Sequence, residues 1–553
     1  MNNIRARIKK LYREDYELVY EEVARLIEEE KIAGDKKFVD EKDIMLITYG
    51  DSIKKEGEAP LTTLLKFVSD EATDTVSAIH LLPMFPFTSD DGFSVVDYYE
   101  INKELGDWSD INKLAVKYDL MFDAVINHIS QSSEWFKKFL ACEEKYKNYF
   151  IDADPSLDYS SVTRPRALPL LTPFETREGK KYLWTTFSED QIDLNYKSKD
   201  LLLEILRILI CYAKRGARYI RLDAIGFAWK KLGTTCMHLE ETHELIKLFR
   251  DVIDECVPGT MIITETNVPH VDNISYFGNG YDEASMVYQF PLPPLTLFSF
   301  ITSDATKLMN WLSTVENISD KTTYFNFLAS HDGIGMRPVE DILNNEEKQL
   351  MVDNTIKKGG RIGYKANGDG TKSPYELNIN YRDAIINEDE DDDTKVNKFL
   401  ASQAILLSIA GMPGIYIHSL LGSGNWTEGM EQSGINRRIN REQLDYNTII
   451  DNLKTDYVKS NIFDGYKKLI KTRKSNSAFH PLAKQEVVKT DKRLFNIIRY
   501  NEETEEKIEV IINVSNETIC IDLDNEGIDI LTGNKISKSC QVKPYEVLWI
   551  KVQ

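Results

Sequence analysis

No stretch of the chain approaches the ~18 uninterrupted apolar residues that a membrane-spanning helix requires. The basic start MNNIRARIKKLYRED is not followed by the apolar run of a secretory leader. Cysteine is scarce: Cys142, Cys211, Cys236, Cys256, Cys520 and Cys540 lie far apart, with no CxxC pair and no Cys/His spacing of a metal site. In a chain of this size that reads as reduced thiols of a cytoplasmic protein. Positive charge is also short, with 68 Lys and Arg against 89 Asp and Glu and a formal net charge of −21. Such a surface repels phosphodiester backbones and anionic lipid, so neither nucleic acid nor a membrane is expected as a partner. An anionic substrate would need a cationic pocket set against that field. There is no internal repeat either. What remains, 553 residues with 42% hydrophobic and 28% charged content, suits one large catalytic body with attachments.

Ile4, Ile8, Leu11, Leu18, Val19, Val23, Leu26 and Ile27 recur at helical spacing in a charged background, which predicts amphipathic helices at the start of the chain. From there the pattern changes to short apolar runs separated by helix-length segments: DIMLITYG (43–50), SAIHLLPMFP (77–86), DLMFDAVINH (119–128), RYIRLDAIG (218–226), TMIITETN (260–267), ASMVYQFP (284–291), TYFNFLASHDG (323–333) and GIYIH (414–418). Continuous apolar strands alternating with helices indicate a buried parallel sheet. Eight of them predict an α/β fold, a closed (β/α)8 TIM barrel. The ~90 residues between the third and fourth runs are too many for a helix and two loops, which predicts a small inserted domain after strand 3. Alternating strands beyond residue 480 predict a C-terminal all-β domain. The expected organisation is a helical extension over 1–40, the barrel over 41–129 and 201–479, the insertion over 130–200 and the β domain over 480–553. The acidic run EDEDDD (388–393) reads as a solvated loop tip.

Reacting groups of such barrels stand at the C-terminal ends of strands. Here those ends carry Asp123, Asn127 and His128, then Arg221 and Asp223, then Glu265, then His331 and Asp332. Carboxylates aimed at one point suit glycosyl transfer: anions stabilise an oxocarbenium-like transition state, one carboxylate attacks the anomeric carbon, and a protonated one supplies the leaving group's proton. Arg221 and Asp223 share a strand face at i and i+2, so the arginine is expected to hold Asp223 ionised as a nucleophile. Glu265 follows the apolar MIIT, and desolvation there would raise its pKa as a general acid requires.

The segments DAVINH, RYIRLDAIG, ITETN and FLASHDG, in that order, resemble the four signature segments of the α-amylase superfamily of glycoside hydrolases and phosphorylases. That resemblance implies Asp223 as nucleophile, Glu265 as acid/base and Asp332 as transition-state stabiliser, with Arg221, His128 and His331 around a glucosyl ring. Further segments are similar to the sucrose-phosphorylase-like branch. TSDDGFSVVDYYEI places Asp90 and Phe93 at the glucosyl unit, SGINRRINR places Arg437 at its far hydroxyls, TRPRALP brings Arg166 to phosphate, and SPYELN brings Tyr375. WTTFSEDQIDLN and GMPGIY also resemble that branch.

The departures point to a different acceptor. The long string ETNVPHVDNISYFGNGYDEASMVYQF and the N-terminal helices look closer to glucosylglycerate and glucosylglycerol phosphorylases than to sucrose phosphorylases. Glu376 stands where sucrose enzymes have Gln, and Phe227 where a Tyr is common. The resemblance therefore implies a retaining α-glucoside phosphorylase acting on an α-glucoside and inorganic phosphate, first of all 2-O-α-glucosylglycerate, the alternatives being a sucrose or glucosylglycerol phosphorylase, an α-glucosidase or transglucosidase, and an amylase-like binding protein without catalysis. Arg166, Tyr375, Glu376 and Arg337 are expected at phosphate or acceptor, with His270, Lys365 and Lys372 as further cations for an acceptor carboxylate. No metal or other cofactor is expected: Asn127 should hydrogen-bond a nearby loop. The chain is expected as a monomer or homodimer.

Overall fold

Each apolar run supplies one strand, and the eight close on themselves. In the computed structural model, which describes residues 1–34, 37–166, 168–366 and 371–552, the barrel strands are β1 (Met45–Thr48), β2 (Ala78–Leu81), β3 (Asp119–Ala124), β4 (Ala217–Leu222), β5 (Met261–Thr264), β6 (Met286–Tyr288), β7 (Thr323–Phe327) and β8 (Met412–Tyr416). All pair in parallel in chain order, and β8 returns to β1 through Met45↔Gly414. Almost every strand residue is buried, as expected for a sheet covered on both faces. The register places Asp123 of β3 beside Arg221 of β4, and Arg221 beside Ile263 of β5. One cation is thereby level with the carboxylate-bearing ends of three adjacent strands.

The long connection between β3 and β4 carries a helix (Glu134–Leu140), a hairpin of Leu171–Thr176 with Gly179–Trp184, and a strand (Gln191–Asp193) that pairs with His128–Ser130. After β7 comes a second excursion, in which Ile334–Gly335 and the strands Arg361–Ala366 and Lys372–Asn378 make a small antiparallel sheet. Residues 367–370 of the Gly-rich stretch expected at 359–374 lie outside the described residues. The acidic run is an exposed turn over 388–391, as expected of a loop tip, and its last residues continue into a helix. Asp391 caps the helix Asp392–Ser408 by accepting from Thr394 N, and Glu390 pairs with the buried Lys398 at 2.7 Å. Acidic groups at a helix N-terminus meet the positive end of its dipole.

The initial helices α1 (Asn2–Tyr12) and α2 (Tyr16–Glu30) turn Ile4, Ile8, Val19, Val23 and Ile27 inward, while Leu18 is exposed. They pack on barrel helices rather than standing free. Arg7 of α1 meets Asp251 at 2.6 Å and Glu244 at 3.5 Å, both on the helix Glu240–Cys256 that follows β4. At the other end, antiparallel strands from Lys484–Val487 to Val547–Val552 form a six-stranded sheet around the fully buried Trp549, whose ring lies 4.6 Å from Phe479. No helix among the described residues is long and apolar enough to cross a membrane.

Candidate active site

Arg221 is the hub of the C-terminal mouth of the barrel. Its guanidinium contacts Asp123, lies 3.0 Å from Asp223 and 3.9 Å from Glu265, and is flanked by the rings of Phe93 and Tyr288. His80 of β2 takes the other oxygen of Asp123 at 2.8 Å. Burial works to raise Asp123, but Arg221 and His80 hold its carboxyl down at about 2. Asp123 therefore takes a large share of the arginine's charge. Burial pushes Asp223 well above the ordinary carboxylate range, with Arg221 opposing and Glu265, Asp123 and Asp332 adding to the rise. Glu265 is raised in the same way, first by burial, against Arg221 and with Asp332 and Asp123 adding.

Arg221 opposes the rise of Asp223, as expected, but Asp123 and Glu265 compete for the same guanidinium. The two carboxyls share a crowded, desolvated site in which burial and mutual repulsion favour the protonated form of each. Arg221 lies closer to Asp223 than to Glu265, at 3.0 against 3.9 Å, and so opposes protonation of Asp223 at the shorter range. Asp332 is different. Burial works to raise it, but Arg437 at 2.7 Å, His331, Arg441 and Arg221 hold it far below the usual range, so it stays an anion.

Two loops complete the floor. Asp90, Asp91 and Gly92 run consecutively through positive φ, at 54°, 48° and 112°. The turn also presses Gly92 onto Pro83, where a Cβ would come within 2.9 Å of the proline ring. Only glycine fits there without displacement. This turn presents Asp90 to Arg166 at 2.9 Å and to Gln191 at 3.3 Å. Burial opposes ionisation of Asp90, yet Arg166, Arg437 and Arg441 hold its carboxyl at about 2. Asp91 is tied to Arg438 at 2.8 Å and Arg441 at 2.7 Å, and Arg441 also donates to the His331 carbonyl. The SGINRRINR segment is in this way locked to both strand-end loops. Phe93 stacks on His331 at 4.9 Å, and its carbonyl accepts from His128 Nε2 at 2.8 Å. Burial brings His331 down to about 3 and lowers His128, so both rings are neutral donors or acceptors near pH 7.

The pocket above this floor is lined by Asp223, Glu265 and Asp332 together with Asp90, Phe93, His128, Arg166, His331, Arg337, Tyr375 and Arg437. Arg221 lines the inner cavity that continues below Glu265 and Asp332. Glu376 lines neither, and nor do His270, Lys365 and Lys372. The Glu376 carboxylate is taken up by Arg437 at 3.0 Å and by the Gly333 N–H at 3.0 Å. Burial pushes the Tyr375 hydroxyl up to about 12, keeping it a donor.

Asn127 uses its Oδ1 to accept from Lys230 Nζ at 3.0 Å, and that buried ammonium also reaches Asp193 at 2.5 Å and the Phe227 carbonyl. It joins the insertion to the loop after β4. Among the described residues no group of His, Cys, Asp and Glu has the arrangement of a metal site.

Sequence reasoning missed His80, Gln191, Asn267, Asp91 and Arg441. Three of them lie in segments that carry the resemblance, Asp91 in TSDDGFSVVDYYEI, Gln191 in WTTFSEDQIDLN and Arg441 in SGINRRINR. Asn267 stands two residues beyond Glu265, and the same i, i+2 relation that linked Arg221 with Asp223 would have found it.

Comparison with known proteins agrees with this geometry. The profile described as "Alpha amylase, catalytic domain" matches residues 73–481, and that of a "Beta-galactosidase C-terminal domain" matches 497–550. A protein of Spirochaeta thermophila named glucosylglycerate phosphorylase is 46% identical over 89% of this chain and 84% of its own length. One of Allomeiothermus silvanus with the same name is 47% identical over 92% and 91%. Among solved structures, the sucrose 6F-phosphate phosphorylase from Thermoanaerobacter thermosaccharolyticum superposes with a TM-score of 0.75 at 23% identity, covering 92% of this chain and all of the other. With its barrel, its carboxylates at the strand ends and these relatives, the chain belongs to the α-amylase family, in its branch of glycoside phosphorylases.

Proposed function

We propose that the protein is a retaining phosphorylase that moves the glucosyl group of 2-O-α-glucosylglycerate to inorganic phosphate, giving α-D-glucose 1-phosphate and D-glycerate. The observation that carries the reading is the pocket in which Asp223, Glu265 and Asp332 meet Arg166, Arg337 and Arg437. The carboxylates suit glucosyl transfer, and the arginines suit an anionic second substrate. The printed names of relatives 46–47% identical over about nine-tenths of the chain support the choice of glycoside.

Asp223, its protonation opposed by the nearer Arg221, attacks the anomeric carbon, while Glu265 passes its proton to the departing glycerate oxygen. Asp332, held ionised by Arg437, faces the positive charge that develops on the ring. Phosphate then displaces Asp223 from the opposite face and gives its proton to Glu265. Two inversions return the α-anomer. His128, His331, Phe93 and Asp90 hold the glucosyl ring, and Arg166 and the Tyr375 hydroxyl meet the phosphate. A product that keeps the glycosidic bond energy as a sugar phosphate suits intracellular use, and we place the enzyme in the cytoplasm.

The test is a panel of acceptors. α-D-glucose 1-phosphate is incubated separately with D-glycerate, glycerol, fructose, fructose 6-phosphate or water alone, and phosphate release is followed. Fastest release with glycerate is expected. Release with fructose alone, or equal release without any acceptor, would refute the proposal.

A further inference from the structure

In a phosphorylase pocket closed by acidic groups, an arginine without a partner calls for an anion. Arg337 is such a residue. It opens the short helical turn Arg337–Val339 after β7 and lines the pocket. Among the described residues no carboxylate lies within 4 Å of it, although every other arginine of the pocket rim is paired: Arg166 with Asp90, Arg437 with Asp332 and Glu376. In a chain of net charge −21, an unpaired arginine at the catalytic mouth is conspicuous by its surroundings.

The other cations considered for an acceptor carboxylate stand elsewhere. Lys365 is bound to Glu340 at 2.6 Å. Lys372 is exposed on the strand Lys372–Asn378. His270 packs beside Trp311 and Tyr324, outside the pocket lining.

A second unsatisfied group lies next to the first. Asn267 lines the same pocket, two residues beyond Glu265, and its Oδ1 is buried with no hydrogen-bond partner. Gly335, two residues before Arg337, packs against this amide: a Cβ there would come within 3.1 Å of Asn267 Nδ2. The Met336 N–H donates to the Tyr375 carbonyl at 2.9 Å, fixing the Arg337 turn to the loop that carries the Tyr375 donor. A buried acceptor oxygen left without a donor costs about 1–3 kcal/mol, and a ligand hydroxyl would satisfy it.

On the phosphorylase reading, the group that leaves the anomeric carbon must have its bridging oxygen at Glu265. We infer that Arg337 and Asn267 form the acceptor subsite, the guanidinium binding the carboxylate of a small 2-hydroxy acid and Asn267 Oδ1 accepting from its remaining free hydroxyl. Asn267 follows β5 with the acid/base and Arg337 follows β7, and both line the pocket that Glu265 lines, so the proposal sets the 2-oxygen of the acid at Glu265 between them. Arg337 thus sets the charge preference of the leaving group, and Asn267 the preference for a second hydroxyl.

The experiment uses the full-length enzyme and its Arg337→Gln, Arg337→Lys and Asn267→Ala variants. Phosphate release from α-D-glucose 1-phosphate is measured with D-glycerate, with glycerol, which lacks the carboxylate, and with lactate, which lacks the second hydroxyl. Arg337→Gln is expected to lower kcat/KM for glycerate about 30-fold or more while glycerol changes less than threefold, and Arg337→Lys is expected to recover part of the loss. Asn267→Ala is expected to bring glycerate and lactate within about threefold of each other. Equal losses with glycerate and glycerol, or an unchanged glycerate rate, would overturn the assignment while leaving the proposed function intact. A wild-type enzyme active with glycerol but with no hydroxy acid would overturn both.

Discussion

Replacing Asp123 by Asn would test the electrostatic account of the site without touching a reacting group. Asp123 is buried and contacts Arg221, the same guanidinium that Asp223 and Glu265 face at 3.0 and 3.9 Å. Its charge raises both of their pKa values. Carboxylates sharing one guanidinium stand about 6 Å apart, and at an effective dielectric near 20 like charges at that distance repel by about 3 kcal/mol, roughly two pH units. Relaxation and the His80 contact reduce this, so a shift of about one unit is expected. The sign is fixed by two effects that act together. Losing the Asp123 charge removes a repulsion, and Arg221, freed of its closest partner, turns more of its charge to Asp223 and Glu265. Both carboxyls then ionise at lower pH. The alkaline limb of the pH profile of kcat/KM, where Glu265 loses its proton, moves to lower pH by about one unit, and the acid limb, where Asp223 gains one, moves the same way. Arg221 keeps two partners, so the fold should survive, as circular dichroism would verify. A profile that stayed in place or moved to higher pH in a folded variant would refute this account of Arg221.

Asp223→Asn removes the nucleophile and should lower turnover by roughly 10,000-fold or more, measured as phosphate release with glycerate; full activity would overturn the mechanism. Arg166→Ala should raise the KM for phosphate about tenfold or more in the phosphorolysis direction, because a charge-assisted donor is lost; an unchanged phosphate KM would remove Arg166 from the phosphate site. Lys230→Met leaves the buried Asp193 without its cation, and breaking such a pair costs about 3–5 kcal/mol. The thermal midpoint should fall by several degrees in calorimetry, and adding Asp193→Asn should restore part of the loss.

The barrel was legible because its strands are buried on both faces. An uninterrupted apolar run such as MIIT or MLIT reports that burial directly, and eight such runs leave little choice of architecture. The meeting of three carboxyls was legible for a related reason: the strands of this barrel end at one mouth, so Asp223, Glu265 and Asp332 could be placed together from position as well as from resemblance. What stayed hidden depends on pairing across the chain. Glu376 looks free in YELN, and only the fold brings Arg437, 61 residues away, onto its carboxylate. Asp91 and Arg441 are 350 residues apart yet share an ion pair, which no local pattern encodes. The upward pull on Asp223 was hidden for the same reason. Its neighbour Arg221 is visible at i−2, but the competitor for that charge, Asp123, sits on the adjacent strand.

The acidic composition raised the question of how anions could enter, and the arginines of the pocket answer it by their number. With the proton on Glu265, the ionised carboxylates of the lining are Asp90, Asp223 and Asp332, matched by Arg166, Arg337 and Arg437. The local charge is therefore neutral inside a strongly anionic protein. On the proposed mechanism it stays neutral. When Asp223 becomes a glucosyl ester it loses its charge, and Glu265, having given up its proton, gains one. Phosphate thus arrives at a pocket no more negative than the one the glycoside entered. Removing any one arginine would leave an excess anion at both stages and, in a site shielded from water, a like charge opposes phosphate far more strongly than at the surface. Of the three, Arg166 and Arg437 are each already tied to a carboxylate of the pocket. Arg337 is the one with no carboxylate partner among the described residues, and the balance of the site for incoming anions rests on it.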